Sequence, residues 1–288
     1  MGSEFGEMIS SILPAVKTVF WRTLSFSSLL YVAVGVYGYF FVERQIFPAP
    51  PVGYSTDEPH LVTFNTDSDN GDSGNGDSGL TLRAVHLTRS DATYTLLLSH
   101  GNGSDLGSMR PIINQWHQLG FNVFAYDYRG YGLSDGSPTE TGIYRDVEAA
   151  YRYLRNQGVA GDRIIPYGIS LGGAPSIHIA ATQPVAGLVL EATFTSIFRV
   201  VTRVSLYPFD KFPNLQRLRD VSVPIVIFHG TKDEIIPFSH GQQLAQVHPQ
   251  RTEFVAITNG THNDLPLVEA DTLAQALVNF TRKLSDNR

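Results

Sequence analysis

The sequence contains no cysteine. Disulfides, thiolate-bound metals and cysteine nucleophiles are therefore excluded. The absence does not place the chain in a compartment, because a cysteine-free chain folds in reducing or oxidising surroundings alike. Basic charge is also scarce. Against 27 Asp and Glu there are 21 Lys and Arg, for a formal net charge of −6. The globular part has no run of Lys and Arg, so it lacks the basic field of a nucleic-acid binder. No nucleic-acid partner is expected. What the chain has is size. Its 288 residues, 42% of them hydrophobic, suffice for one large core or two small ones.

Charge is missing altogether from Leu24 to Val42, LSFSSLLYVAVGVYGYFFV. As a helix this stretch would be about 29 Å long, close to the hydrocarbon thickness of a bilayer. Trp21, Tyr37, Tyr39 and Phe47 lie near its ends, where aromatic belts form. A membrane anchor over 8–46 is the expectation. A cleaved signal peptide and a helix docked on the domain are the alternatives, and the first is disfavoured by the length of the stretch and the lack of an A-x-A site close behind it. Lys17 and Arg22 precede the stretch, while Glu43 and Arg44 follow it. That bias favours a cytoplasmic N-terminus and an exported globular domain. Gly2-Ser3-Glu4-Phe5 is what two adjacent cloning sites encode, so residues 1–7 read as vector-derived with a native start at Met8. The prolines of Phe47-Pro48-Ala49-Pro50-Pro51 stop the helix and predict an extended linker over 47–60.

The globular domain is expected over 61–288. Asp67–Gly79, DSDNGDSGNGDSG, lacks the spacing and the bidentate Glu of a calcium loop, and reads as a hairpin tip rich in turn formers. It separates Leu61–Phe64 from Leu80–Thr88, which predicts a leading antiparallel hairpin. Short apolar runs then alternate with helical patterns. The runs are Thr93–Ser99, Asn122–Tyr126, Arg163–Tyr167, Ala186–Glu191, Pro224–Phe228 and Thr252–Ile257. The helical patterns are Arg110–Leu119, Glu140–Gln157, Gly173–Gln183, His240–Val247 and Asp264–Leu284. Such alternation predicts an α/β fold, a mostly parallel sheet with helices on both faces.

Within that frame, Gly168-Ile169-Ser170-Leu171-Gly172 falls between a strand and a helix. A G-x-S-x-G match in that context carries a nucleophile on a sharp turn, with glycines where the backbone must approach closely. Ser170 is the candidate nucleophile. His100-Gly101-Asn102-Gly103 ends an earlier strand, where one oxyanion-hole N–H is expected; Asn102 is assigned to it, and Leu171, next after the serine, supplies the second. Each such donor is worth about 2.7–4 kcal/mol in a transition state. His100 itself reads as structural. Asp233 follows the strand PIVIF and can orient an imidazole, with Glu234 as its competitor. His262 follows the last strand, TEFVAI, and completes the chain order Ser170, Asp233, His262. His178, His240 and His248 lie in or beside helices and read as surface or packing residues. Asp264 reads as the cap of the last helix. The chemistry would be acyl transfer through an acyl-enzyme, with no metal or organic cofactor required.

Five segments in this order, HGNGSDLGSMRPII, FAYDYRGYGLSDGSP, YGISLGG, FHGTKDEIIPFSHG and NGTHND, give the chain a resemblance to a known family. Over roughly residues 80–284 it resembles the membrane-associated α/β-hydrolases, the Bem46-like and the α/β-hydrolase-domain-17-like and -13-like serine hydrolases. The resemblance implies the α/β-hydrolase fold and the triad Ser170, Asp233 and His262. For the 17-like branch it also implies thioester cleavage of fatty-acylated proteins. This chain departs from that branch: relatives there often carry an acylated cysteine-rich N-terminal segment, and here an apolar stretch stands in its place. The loop Asp127–Gly132 is implied to brace the nucleophile region, with Asp127 and Arg129 in structural hydrogen bonds.

The segment between Thr193 and Val223 is where a cap is inserted in this fold; at about 194–222 it is too short for a large helical lid. Phe194, Phe198, Tyr207 and Phe209 read as a substrate wall, with packing on the core as the equal alternative. The expected activity is cleavage of carboxylic esters or thioesters of acyl, lipid-like compounds (carboxylesterase, lipase or acyl-thioesterase), with an acylated protein as a further candidate substrate. A peptidase and a non-hydrolytic, receptor-like protein of the same fold are the alternatives.

Overall fold

The structure, a computed structural model, describes residues 2–41, 43–66, 79–202, 210–263, 265 and 270–286. It divides into two units, Met1–Ile46 and Phe47–Arg288. The first unit is helical: α1 (Gly2–Phe41), with Pro14 inside it, and the single turn α2 (Glu43–Ile46). Val16–Gly38 is long and apolar enough to cross a bilayer. Phe20, Trp21, Phe26 and Leu29 face outward along it. An exposed apolar face of this kind marks a membrane or protein interaction surface.

The second unit is built on one eight-stranded sheet: β1 (Leu61–Thr66), β2 (Leu80–Leu87), β3 (Thr95–Ser99), β4 (Asn122–Tyr126), β5 (Ile164–Ile169), β6 (Leu188–Glu191), β7 (Ile225–Gly230) and β8 (Thr252–Ile257). Their order is β1-β2-β4-β3-β5-β6-β7-β8. β1 and β2 form the expected antiparallel hairpin, and β2 also pairs antiparallel with β4; every later pairing is parallel. The tip, 67–78, lies outside the described residues. Central strands such as β3 are buried at every position, which is why their sequences run apolar without alternation.

The helices are α3 (Leu106–Gln118), α4 (Glu140–Asn156), α5 (Gly173–Thr182), α6 (Ile197–Thr202), α7 (Asn214–Arg217), α8 (Ser239–Ala245) and α9 (Ala270–Asp286). On one face of the sheet, Met109, Ile113 and Trp116 of α3 join Leu273, Leu277 and Phe280 of α9 in a single core with Leu96, Leu98, Tyr167 and Phe228. On the other face, Tyr153 of α4 meets Phe64 and Phe124. α3 begins earlier than the apolar pattern predicts, because Asp105 caps it: its carboxylate accepts from the Ser108 N–H, and the Ser108 hydroxyl is bonded to the Asp105 N–H in return. Asp264, expected to cap the last helix, lies outside the described residues.

The stretch expected to be an extended linker, 47–60, falls in the second unit. Gly53 donates its N–H to Asp105 Oδ2 at 2.6 Å, the Tyr54 hydroxyl donates to Asp127 Oδ2 at 2.5 Å, and Phe47 packs edge-on against Phe212. Proline density marked the helix stop correctly but could not show that the extended chain behind it finds partners of its own.

Candidate active site

β5 ends at Ile169, one 3-10 turn covers Ser170–Gly172, and α5 starts at Gly173. The reversal is so tight that Ser170 has φ 52°, in the left-handed region that side chains avoid. The glycines around it are steric necessities. A Cβ on Gly168 would fall 2.3 Å from the carbonyl oxygen of Gly172, and one on Gly172 would fall 1.9 Å from that of Ser99. The Thr193 hydroxyl donates to the Ser170 carbonyl at 2.7 Å and pins the turn from the neighbouring strand.

Asp233 lies just past β7 and His262 just past β8, and both reach this turn. His262 Nε2 is 3.0 Å from Ser170 Oγ, and His262 Nδ1 is 2.8 Å from Asp233 Oδ2. With Nδ1–H donated to the carboxylate, Nε2 is left as an acceptor for the serine hydroxyl proton. The Asp233 side chain is fully shielded. Its Oδ1 accepts the N–H groups of Ile235 at 3.0 Å and Ile236 at 2.7 Å. His229 Nε2 stands 3.4 Å from Oδ2 while donating to the Ile236 carbonyl at 2.9 Å. Burial alone would raise Asp233, but the bonds from His229, His262 and Ile236 outweigh it and hold the carboxyl well below the ordinary range. Glu234, the competitor, is exposed and reaches the backbone N–H of His262, at 3.4 Å, rather than the ring.

β3 and β5 are in register with Ser99 opposite Gly168, so the loop after β3 starts beside the serine turn. A Cβ on Gly101 would sit 3.6 Å from Ser170 Cβ. Asn102 follows, half-buried, and Leu171 is buried directly after the serine. Gly103 has open space where its side chain would be. His100 is structural, as expected. Its ring packs on Tyr128 at 4.3 Å, its Nε2 lies 3.3 Å from Asp127 Oδ1, and its carbonyl accepts from the Tyr128 hydroxyl. Asp127 also accepts the N–H of Leu106 at 3.0 Å, which ties the start of α3 to β4. Arg129 and Asp146 form a fully buried ion pair, at 2.7 Å through Nη2. His178 and His248 bond Glu148 and the Leu218 carbonyl, while His240 bonds Thr195, so none of the three reaches Ser170.

Of the residues read either as a substrate wall or as core packing, two are among the described residues. Phe194 is 2% exposed, packed edge-on against Phe212, and its carbonyl takes the Asn214 amide. It belongs to the packing beneath the insertion, because apolar composition alone does not separate a lining residue from a core one. Phe198 is half-buried, with its N–H bonded to Asp210. Tyr207 and Phe209 lie outside the described residues. Two residues close to the triad were missed. His229 carried a signal, since it opens the same HGTKD segment as Asp233. Glu191 carried none, since a single acid at a strand end is unremarkable in sequence. It is buried, accepts the Tyr167 hydroxyl at 2.5 Å, and is pushed up to about 7, chiefly by burial.

Comparison with known proteins agrees with this architecture. Residues 90–212 match the family model described as serine aminopeptidase, S33, a match that includes Ser170 but ends before Asp233 and His262. Among curated proteins, the human α/β hydrolase domain-containing protein 17B is 41% identical over 181 residues, 62% of this chain and 63% of that protein. The 17C protein of Xenopus laevis is 41% identical over 179 residues, 60% of this chain and 57% of that protein. The match thus spans less than two thirds of either relative. Among solved structures, a Pyrococcus furiosus esterase superposes with a TM-score of 0.66 at 16% identity, covering 82% of this chain and 97% of its own. The esterase domain of a Rhodothermus marinus protein superposes with a TM-score of 0.56 at 18% identity, covering 77% and 98%. Sheet order, family match and relatives agree: the chain is an α/β-hydrolase by fold, similar in sequence to the α/β hydrolase domain-containing 17 proteins.

Proposed function

We propose that this chain is a serine hydrolase that cleaves carboxylic esters or thioesters of acyl, lipid-like substrates, with α1 as its membrane anchor. One observation carries the reading: Ser170 Oγ, His262 Nε2 and Asp233 Oδ2 form a continuous relay at 3.0 and 2.8 Å, built from three separate strand ends. Ser170 attacks the acyl carbon as its proton passes to His262 Nε2. Asp233, held ionised, stabilises the imidazolium. The tetrahedral oxyanion is taken by the N–H groups of Asn102 and Leu171. His262 then protonates the departing alcohol or thiol, and water, deprotonated by the same imidazole, releases the acid from Ser170.

A fluorophosphonate probe tests the nucleophile. Wild type is expected to be labelled and Ser170→Ala not, with turnover of a nitrophenyl ester falling by about 10⁴ or more in the variant. Equal labelling of the two would overturn the assignment. A series of nitrophenyl esters of increasing chain length tests the substrate class, and a clear preference for acetate would count against a lipid-like acyl group. The description of the matching family model favours a peptidase as the second reading. Peptide turnover faster than ester turnover would establish it in place of the first.

A further inference from the structure

Glu191 is the last residue of β6, and its position is unusual. In the ladder it stands between Ile169, the residue before Ser170, and Phe228, two positions before the end of β7, the strand that leads to Asp233. It therefore lies between the two strands that deliver the nucleophile and the acid. The carboxyl group is 2% exposed. Its hydrogen-bond partner is a neutral one, the Tyr167 hydroxyl at 2.5 Å, and no Lys or Arg ion pair to it is found among the described residues. A buried carboxyl without a cation costs several kcal/mol when ionised, by general solvation estimates of about that size. An apolar residue at a strand end between packed neighbours would avoid that cost. Tyr167 from β5 is bonded to Glu191, and His262, held against Ser170 next to Ile169, the β5 partner of Glu191, is near enough for its charge to act on the carboxyl. Of these, only the imidazole changes charge during the proposed reaction.

We propose that Glu191 is a second acid of the site, a positioning residue whose negative charge supports the His262 imidazolium in addition to Asp233. The assignment rests on the serine-hydrolase reading and extends it. Asp233 is in contact with the ring and permanently ionised. Glu191 acts through space and is ionised only on the alkaline side of about pH 7, with burial as the main cause of its raised value. Tyr167 donates its hydroxyl proton to the carboxylate and favours the ionised form. Protonation of Glu191 withdraws one charge from beside the imidazole without breaking the relay, so the enzyme slows rather than stops.

The test compares full-length wild type, Glu191→Gln and Tyr167→Phe. Glutamine retains the size of the side chain and an oxygen that accepts from Tyr167. In kcat/KM against pH for a nitrophenyl ester, wild type is expected to show a break near pH 7 in addition to that of the catalytic imidazole. Glu191→Gln is expected to lose that break and to lower kcat about fivefold at pH 8 with KM unchanged, a change equivalent to roughly 1 kcal/mol. Tyr167→Phe is expected to move the break to higher pH. A Glu191→Gln profile that keeps the wild-type shape, scaled by a constant or not at all, overturns the proposal and leaves a structural role. The ring ¹⁵N signals of His262 give a readout that needs no turnover. They are expected to show one inflection more in wild type than in Glu191→Gln. If no ester or peptide is turned over, the serine-hydrolase reading fails by itself, while equal inflection counts in the two proteins would overturn the Glu191 assignment alone.

Discussion

Asp233 and Glu191 are both carboxyl groups withdrawn from water, and they are driven in opposite directions. Asp233 collects donors, from the rings of His229 and His262 and from the backbone of Ile236, and these overcome its burial. A depressed carboxyl contributes stability that is present above the ordinary carboxylate pKa and lost as pH falls through the folded value. Glu191 has one donor, and burial wins. A raised carboxyl contributes stability that is complete below its ordinary value of 4.5 and lost as pH climbs to about 7. Thermal melts at pH 5 and pH 8 separate the two. Asp233 is ionised at both, so it adds no slope. Wild type is expected to lose about 3 kcal/mol of relative stability against Glu191→Gln by pH 8, most of it above pH 5. A gap between the two proteins that is the same at both pH values would contradict the raised carboxyl.

At the scale of elements, the turn from β5 into α5 is held from both sides. Ser99 and His100 of β3 and its loop press on Gly172, and Thr193 behind β6 bonds the Ser170 carbonyl and crowds Gly173. Gly172→Ala is therefore expected to cost about 3 kcal/mol in urea unfolding, as overpacking against backbone does; a stable, fully active variant would mean that the turn has slack. The same turn shows what was legible in the sequence. G-x-S-x-G encodes the close approaches directly, because only glycine can occupy them. Asp233 and His262 were legible because the strands before them are apolar runs and their order in the chain is constrained. The ends of elements were less so: β3 and β6 begin two residues later than their apolar runs, and α3 begins at Leu106, behind its Asp105 cap, rather than at Arg110. For Phe194 the two readings stayed level because aromatic composition is the same in a wall and in a core. Glu191 and Tyr54 stayed silent because their roles depend on partners far away in sequence, Tyr167 across a strand pair and Asp127 across the sheet edge.

For the whole molecule, the division at Ile46 sets an apolar helix apart from a domain with a core of its own. Two properties should then separate on cutting the chain there. A fragment beginning at Phe47 is expected to keep the melting temperature of the full chain within about 3 °C and to lose flotation with phosphatidylcholine vesicles, which the full chain retains. Starting at residue 61 instead would remove Gly53 and Tyr54, and with them the bonds to Asp105 and Asp127. Flotation of the Phe47 fragment at the level of the full chain would show that membrane binding is not confined to α1.

The loop after β3 combines a fixed start with a free middle. Ser99 is held by the ladder and Gly101 lies against Ser170, whereas Gly103, two residues on, has a negative-φ backbone and nothing near its missing side chain. A Cβ added there meets no other atom within 4 Å. The loop can therefore change at this one position while the serine turn beside its start is left as it is.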